Sequence, residues 1–408
     1  MPSETRDDAN PIKKPKLCFP LHSAIEAGDK EFVEKLFRYN GVPDINACNE
    51  KGLTPLQVAV LYKHQNIIEF LLNNGANVNA KTNEQKAGDL LETIKLNESY
   101  YISPSERKCY SKLTALFIAI INGSQVIIRM LIENGADVNL ENDHYLSPIH
   151  CAVFNGCFEI VSLLFENGAK IDKTSEQEFV DDEDNIYFID CLEDHQWLDA
   201  SLNTIFYDLG NAKIFELLIK NGVDANHDFG SYSLLQSAVV CNNFAMVKIL
   251  VKNGANLEFL CSNQQENYGE TALHFAMNQD PVSFEIARFL IKHGCDVNHQ
   301  SELTHDEVNS YSTPLHLAAL NGSQDTAELL LRSGASSNIR NGLNKTPLDM
   351  AVTFDDAMIR TLLLNGADPE DRCTCGICYP CPLKSYELAL EMKDTNSLKI
   401  FFHTTHSF

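Results

Sequence analysis

Apolar positions along this chain return in a fixed order that predicts paired short helices. In residues 146–172, LSPIHCAVFNGCFEIVSLLFENGAKID, one apolar run follows Ser-Pro, a second follows Asn-Gly-Cys, and Asn-Gly-Ala ends it. Residues 313–338, TPLHLAALNGSQDTAELLLRSGASSN, repeat that order. Because the apolar residues of each run recur at helical spacing, each segment predicts a helix, a turn and a second helix.

The predicted first helices begin with the same chemistry. A Thr or Ser caps a helix, and a Pro at the first helical position loses no hydrogen bond. These capping residues are Thr54, Thr114, Ser147, Ser233, Thr271, Thr313 and Thr346. The pairs Thr114–Ser147 and Thr313–Thr346 are each 33 residues apart. One such unit cannot bury its own apolar face, so neighbouring units must stack.

The recurring TPLHLA-type segments and NGADVN-type turns make the chain similar to the ankyrin repeat family. The resemblance implies an all-α fold, a solenoid of stacked helix-turn-helix units with β-turn fingers. We count nine units, including a first one that begins at FPLHSA and a degenerate fifth one at residues 201–226. In the fifth unit Asn203 and Thr204 replace the usual Leu-His, so its packing is expected to be irregular.

Breaks in the repeat period divide the chain. We expect a disordered N-terminal tail at residues 1–16 and an ankyrin array at 17–371, interrupted by inserts at 81–112 and 173–200. A Cys-rich connector at 372–384 and a capping half-repeat at 385–408 complete the predicted organisation. Inserts in repeat proteins map to loops, often on the binding face.

The second insert carries much of the net charge of −24. Residues 172–199 hold eleven acidic side chains and a single Lys, interleaved with aromatic residues that include Trp197. One interpretation is a solvated loop that keeps clear of its neighbours. The other is an arm that binds a basic, partly apolar partner protein. The sequence leaves both open.

The resemblance also indicates where a partner protein would bind. In ankyrin proteins the concave surface is made by the first helices and the turn tips. The partner-binding residues implied here are Leu61, Tyr62, Ile121, Asn122, Phe154, Asn155, Val240, Leu320, Asn321 and Phe354, with Asp143 and His144 at a turn tip and Trp197 in the insert. Large apolar residues at such positions suit an interaction surface, because soluble proteins rarely expose contiguous apolar strips. The alternative is that neighbouring turns half-cover these residues and that they only complete the packing.

The histidines and cysteines are the candidate residues for catalysis or metal binding. The family resemblance implies that the signature histidines, His22, His150, His274 and His316, bond to backbone near the turns and do not catalyse a reaction. Cys373, Cys375, Cys378 and Cys381 lie within nine residues and could hold one structural Zn²⁺. They could equally form a connector of reduced thiols. We expect no other cofactor.

Composition narrows the class of function. The net charge disfavours nucleic acid as the main ligand, and the sequence contains neither a membrane span nor a secretory signal. Thirteen cysteines without a signal indicate a reduced compartment, the cytoplasm or the nucleus. No phosphate-binding or nucleophile motif is present, so we predict a non-catalytic protein-interaction scaffold or adaptor. The alternatives are a substrate receptor of a cullin-type ubiquitin ligase and an acidic inhibitor of the NF-κB-inhibitor type.

Overall fold

The computed structural model describes residues 20–39, 44–82, 112–143, 145–171, 202, 211–227, 232–260, 269–277, 284–302, 310–351 and 356–368. It divides into two compact units, Met1–Ser201 and Leu202–Phe408. The described residues form seventeen α-helices. The predicted tail, second insert, connector and C-terminal cap lie outside the described residues.

Unit 1 contains four described helix pairs. The first helices of the pairs are α1 (Pro20–Glu26), α3 (Pro55–Leu61), α5 (Ala115–Ile121) and α7 (Pro148–Phe154). The second helices are α2 (Lys30–Tyr39), α4 (Gln65–Asn73), α6 (Gln125–Glu133) and α8 (Phe158–Glu166). Each first helix contacts its own second helix, and α1, α3 and α5 also contact the first helix of the next pair. The pairs of unit 1 are therefore stacked in chain order.

Unit 2 repeats this arrangement. Its first helices are α10 (Leu234–Val240), α12 (Ala272–Met277), α14 (Pro314–Leu320) and α16 (Pro347–Ala351). Its second helices are α9 (Ala212–Lys220), α11 (Phe244–Lys252), α13 (Phe284–Lys292), α15 (Gln324–Arg332) and α17 (Asp356–Leu364). First helices contact first helices and second helices contact second helices from one pair to the next. The predicted stack of helix-turn-helix units is confirmed.

Reciprocal side-chain bonds begin the first helices. The Gln57 side chain accepts the N–H of Thr54 (2.8 Å), and the Thr54 hydroxyl accepts the N–H of Gln57 (3.3 Å). In α14 a histidine takes the place of the glutamine, and His316 Nδ1 accepts the N–H of Thr313 (3.1 Å). These boxes satisfy backbone donors that the first turn of a helix leaves unpaired.

The two kinds of helix are buried to different extents. Every residue of α5 before its last, from Ala115 to Ile120, is buried. The following helix, α6, buries only a stripe made of Ile127, Ile128 and Leu131. Each such aliphatic side chain contributes about 1.5–3 kcal/mol when it is fully buried. The core of each unit therefore runs along the row of first helices.

Candidate protein-binding surface

The predicted apolar strip lies where the first helices end. The structure leaves Leu61, Ile121, Phe154 and Leu320 half-buried. Beside them Tyr62 is 40% exposed in unit 1, and Val240 is 44% exposed in unit 2. Because the preceding residues of these helices are buried, the first helices offer apolar surface to a partner mainly at their C-terminal ends.

The asparagines of the strip bind the neighbouring repeat. Asn155 Nδ2 donates to the carbonyl of Ile120 (2.9 Å), and Asn321 Nδ2 donates to that of Met277 (2.9 Å). Asn122 Nδ2 lies 3.3 Å from the carbonyl of Val60. These amides satisfy carbonyls at the C-terminal end of the preceding first helix, where intrahelical donors run out. Sequence reasoning missed this function, and partner contact by the same residues stays a prediction.

Tyr62 stands on an unusual turn. Its ring stacks on that of His64, with centroids 6.2 Å apart and planes 9° from parallel. Between them Lys63 adopts a left-handed backbone (φ 61°), and Lys63 Nζ donates to the carbonyl of Asn122 in the next repeat (3.0 Å). Burial raises the pKa of Tyr62, and Glu26 adds to the effect. The Tyr62 ring therefore lies on a turn that the stacking on His64 and the bond from Lys63 to Asn122 hold in place.

Asparagine side chains link successive fingers. Asn79 Oδ1 accepts the N–H of Asp137 (2.9 Å), and Asn79 Nδ2 donates to the carbonyl of Gly135 (3.1 Å). The same pair of bonds recurs at Asn139 in unit 1 and at Asn298 and Asn338 in unit 2. We call this series the asparagine ladder. It holds the base of each finger against the next repeat.

At position 258 a glutamate occupies the place of the ladder asparagine. Its Oε1 accepts the N–H of Asp296 (2.7 Å), as an asparagine oxygen would. The other carboxylate oxygen lies 3.7 Å from Nδ1 of His299. A carboxyl group has no N–H to donate, so Glu258 cannot form the second ladder bond.

Ion pairs occupy one turn tip of unit 1. The Asp143 carboxylate pairs with Lys112 and lies 3.7 Å from Lys81 Nζ. The hydrogen bond from Lys112 lowers the pKa of Asp143. This predicted contact residue is therefore charged at neutral pH and already paired within the protein.

In the six fingers where the structure describes it, the residue two before the helix-capping Thr or Ser has a left-handed backbone. Glycine occupies this position at Gly52 (φ 74°) and Gly269 (φ 69°), but Tyr145 and Tyr311 adopt the same conformation, each with φ 56°. These tyrosines are 38% and 42% exposed. A bulky residue in this region costs about 1–2 kcal/mol. Sequence reasoning missed both residues, because this position holds Gly, Lys, Asn or Tyr in different repeats.

Three of the four signature histidines bond to a backbone carbonyl near the turns, as the family resemblance implied. His22 Nε2 bonds to the carbonyl of Leu53 (3.1 Å), His274 to that of Ser312 (3.0 Å) and His316 to that of Lys345 (3.0 Å). Burial lowers the pKa of His150, His274 and His316 to about 4. All three imidazoles are therefore neutral near pH 7.

Several predicted residues cannot be placed. His144, Trp197 and Phe354, together with Cys373, Cys375, Cys378 and Cys381, lie outside the described residues. Within the described ranges no group of three or more His, Cys, Asp or Glu side chains could hold a metal ion. The same part of the chain contains no helix with the length and apolar character that crossing a membrane requires.

Comparison with protein families agrees with the repeat geometry. The model described as ankyrin repeats (3 copies) matches residues 6–82, 86–175, 205–301 and 302–373. The chain belongs to the ankyrin repeat family, and its fold is an all-α ankyrin-repeat solenoid. Ankyrin repeats generally mediate protein–protein interaction.

The chain is similar to ankyrin proteins of diverse organisms. Alpha-latrotoxin-Lg1a of Latrodectus geometricus is 31% identical over 134 residues, which cover 33% of this chain and 9% of the toxin. Ankyrin repeat protein FPV031 of fowlpox virus is 31% identical over 171 residues, 40% of this chain and 46% of that protein. An ankyrin repeat protein of Rickettsia felis is 25% identical over 335 residues, 77% of this chain and 82% of that protein. The chain spans less than half the length of the first two relatives.

Proposed function

We propose that this chain is a non-catalytic scaffold or adaptor that binds a partner protein through an apolar strip at the ends of the first helices in each unit: Leu61, Tyr62, Ile121 and Phe154 in unit 1, and Val240 and Leu320 in unit 2. The observation that supports this proposal is the pattern of burial along the first helices. First helices that are otherwise buried end in apolar side chains, of which Tyr62 and Val240 are the most exposed. Aromatic and aliphatic anchors of this kind dominate the energetics of protein interfaces.

The turn around Tyr62 supports the proposal. Its stacking on His64 and the bond from Lys63 to Asn122 hold the ring before any partner arrives. An anchor held in place loses little conformational entropy on binding, so more of its contact energy appears as affinity.

The proposal also covers the cellular compartment of the protein and the kind of partner that it binds. We place the protein in the cytoplasm or nucleus, and the five described cysteines, which are all free thiols, are consistent with a reducing compartment. A basic partner for the acidic insert, a Zn²⁺ at the Cys cluster, the ligase function and the NF-κB-inhibitor-like function stay predictions.

Quantitative affinity capture tests the strip. Tyr62→Asp and Val240→Asp place a charge on the strip, and we expect each to lose the proteins that the wild type captures from cell lysate. The matched control is Val126→Asp, because Val126 is 55% exposed on the second helix α6. Circular dichroism checks that all three variants fold. A capture profile that Tyr62→Asp and Val240→Asp leave unchanged would show that the partner binds elsewhere.

A further inference from the structure

One contact between successive repeats of unit 2 contains a buried carboxyl group. It lies between the pair α10–α11 and the pair α12–α13, and we call it the Glu270 junction, defined by Gln236, Glu258, Glu270 and Asp296. Gln236 Nε2 donates to the carbonyl of Glu270 (2.7 Å), and the N–H of Asp296 donates to Glu258 Oε1 (2.7 Å). Helix α10 packs against α12 at the same place. These contacts hold the backbone of Glu270 against the preceding repeat.

The side chain of Glu270 occupies a position that unit 1 fills with leucine. Glu270 stands two residues before α12, as Leu113 stands two residues before α5. The two backbones are held alike, because Gln57 Nε2 donates to the carbonyl of Leu113 (3.1 Å) just as Gln236 does to that of Glu270. Leu113 is fully buried, and Glu270 is only 4% exposed. A carboxyl group therefore lies in the space of a core side chain.

This carboxyl group has no partner that would offset its burial. Its Oε2 is buried and accepts no hydrogen bond from a described residue. Burial raises the pKa of Glu270. A carboxyl group without a partner loses its hydrogen bonds to water and gains none in return, so it destabilises the folded junction in either protonation state.

A second defect falls at the same junction. Glu258 lacks the N–H that would complete the asparagine ladder, and its Oε2 is also buried without a hydrogen bond. In the part of the chain that the structure describes, these are the two carboxylate oxygens buried in this way. The other buried side-chain atoms without a hydrogen bond there belong to imidazole, amide and hydroxyl groups. Because an unsatisfied carboxylate costs more than a neutral group, the costliest defects meet at one place.

The next junction of unit 2 is better bonded. There Ser312, with a small hydroxyl group, stands where Glu270 stands in the preceding repeat, and its carbonyl accepts from His274 Nε2 (3.0 Å). Asn298 forms both ladder bonds, from Nδ2 to the carbonyl of Gly334 (3.1 Å) and from the N–H of Ser336 to Oδ1 (2.7 Å). The stack is therefore weaker before α12 than after it.

We propose that the Glu270 junction is a joint at which the native array opens: α12 loses its packing against α10 and unfolds locally while α10 and α14 stay folded. Local opening in a folded protein occurs where the free energy that holds an element in place is smallest. A helix as short as α12, with six residues, is not stable without its neighbours. Unit 2 can thereby interrupt its row of first helices without unfolding as a whole.

Hydrogen–deuterium exchange of the full chain at pH 7, read by mass spectrometry, tests the joint. We expect the amides of α12 to exchange about tenfold faster than those of α14. Glu270→Leu installs the leucine of unit 1 and should slow exchange in α12 about tenfold. Glu258→Asn restores a ladder bond from the finger and should slow the same amides about fivefold, so it tests the joint even if a leucine at position 270 disturbs folding.

Glu69→Leu is the matched control, because it removes a carboxylate from an exposed position of α4 that forms no ion pair with a described residue. It should leave exchange in α12 within about twofold of the wild type. The inference is overturned if α12 and α14 exchange equally in the wild type, or if Glu270→Leu and Glu258→Asn leave α12 unchanged. It is also overturned if both variants slow all helices of unit 2 equally, since the exchange would then report global unfolding.

Discussion

At the scale of single residues, this chain uses two side chains for the same structural purpose. Gln57 accepts from Thr54 and donates to the carbonyls of Ala80 (2.8 Å) and Leu113 (3.1 Å). His316 accepts from Thr313 and bonds to the carbonyl of Lys345. The geometry is shared, but only the imidazole can take up a proton in acid, because the pKa of the buried His316 is about 4. The histidine repeats should therefore respond to acid where the glutamine repeats do not.

Acid should destabilise the chain through its buried histidines. The pKa of His316 is about 4 in the folded protein, below its ordinary value of 6.5. The unfolded state therefore binds protons first, and the stability from neutral burial, complete above pH 6.5, is lost as pH falls towards 4. The loss is about 1.4 kcal/mol per pH unit for each such histidine. Urea unfolding of the wild type and His316→Gln across this range measures it.

Glutamine at position 316 can reproduce the bonds that Gln57 makes. His316→Gln should match the wild type at neutral pH and keep more of its stability in acid. An acid response identical to that of the wild type would mean that His316 does not contribute to it.

At the scale of elements, fingers and helices are held by different forces. The first helices are held by apolar burial, whereas the asparagine ladder holds the fingers by hydrogen bonds from side chain to backbone. The net contribution of one hydrogen bond to the free energy of unfolding is about 1 kcal/mol. The loss of one ladder bond is therefore measurable. The ladder lacks such a bond at Glu258.

Glu258→Asn should stabilise unit 2 by about 1 kcal/mol. The new amide would donate to the carbonyl of Gly294, as Asn298 Nδ2 donates to that of Gly334 (3.1 Å). Asn298→Glu copies the defect to a second position and should cost a similar amount. Glu69→Asn, the same change at an exposed position of helix α4 that forms no ion pair with a described residue, separates the bond from the loss of charge. Chemical denaturation measures all three, and equal gains in Glu258→Asn and Glu69→Asn would contradict the ladder explanation.

At the scale of the whole molecule, the features that could be predicted from the sequence are those that recur in every repeat motif. Helix starts such as Thr54-Pro55 and the backbone bonds of His274 and His316 follow from motifs that recur, and the structure confirms them. The donors of Asn155 and the backbone of Tyr311 could not be predicted in this way. A sequence shows the type of side chain at a position, whereas the carbonyl it reaches depends on how closely two repeats stack.

The net charge of −24 should make stability depend on salt. Like charges repel in the compact state, and the exposed pairs Lys35–Glu31 and Arg332–Glu328 each contribute at most about 1 kcal/mol. Raising NaCl from about 20 to about 300 mM screens the repulsion, so the Tm should rise. KCl should give the same rise, because ionic strength is the cause. A fall in Tm would show that attractive ion pairs outweigh the repulsion.

The burial of the first helices also shapes how this protein can evolve. Since residues such as Ala115–Ile120 are enclosed by their neighbours, substitutions there alter stability and leave the recognition surface unchanged. The helix ends and fingers are exposed, and substitutions at exposed sites usually change stability little. Partner choice can therefore diverge between descendants of this chain while the buried row of helices stays the same.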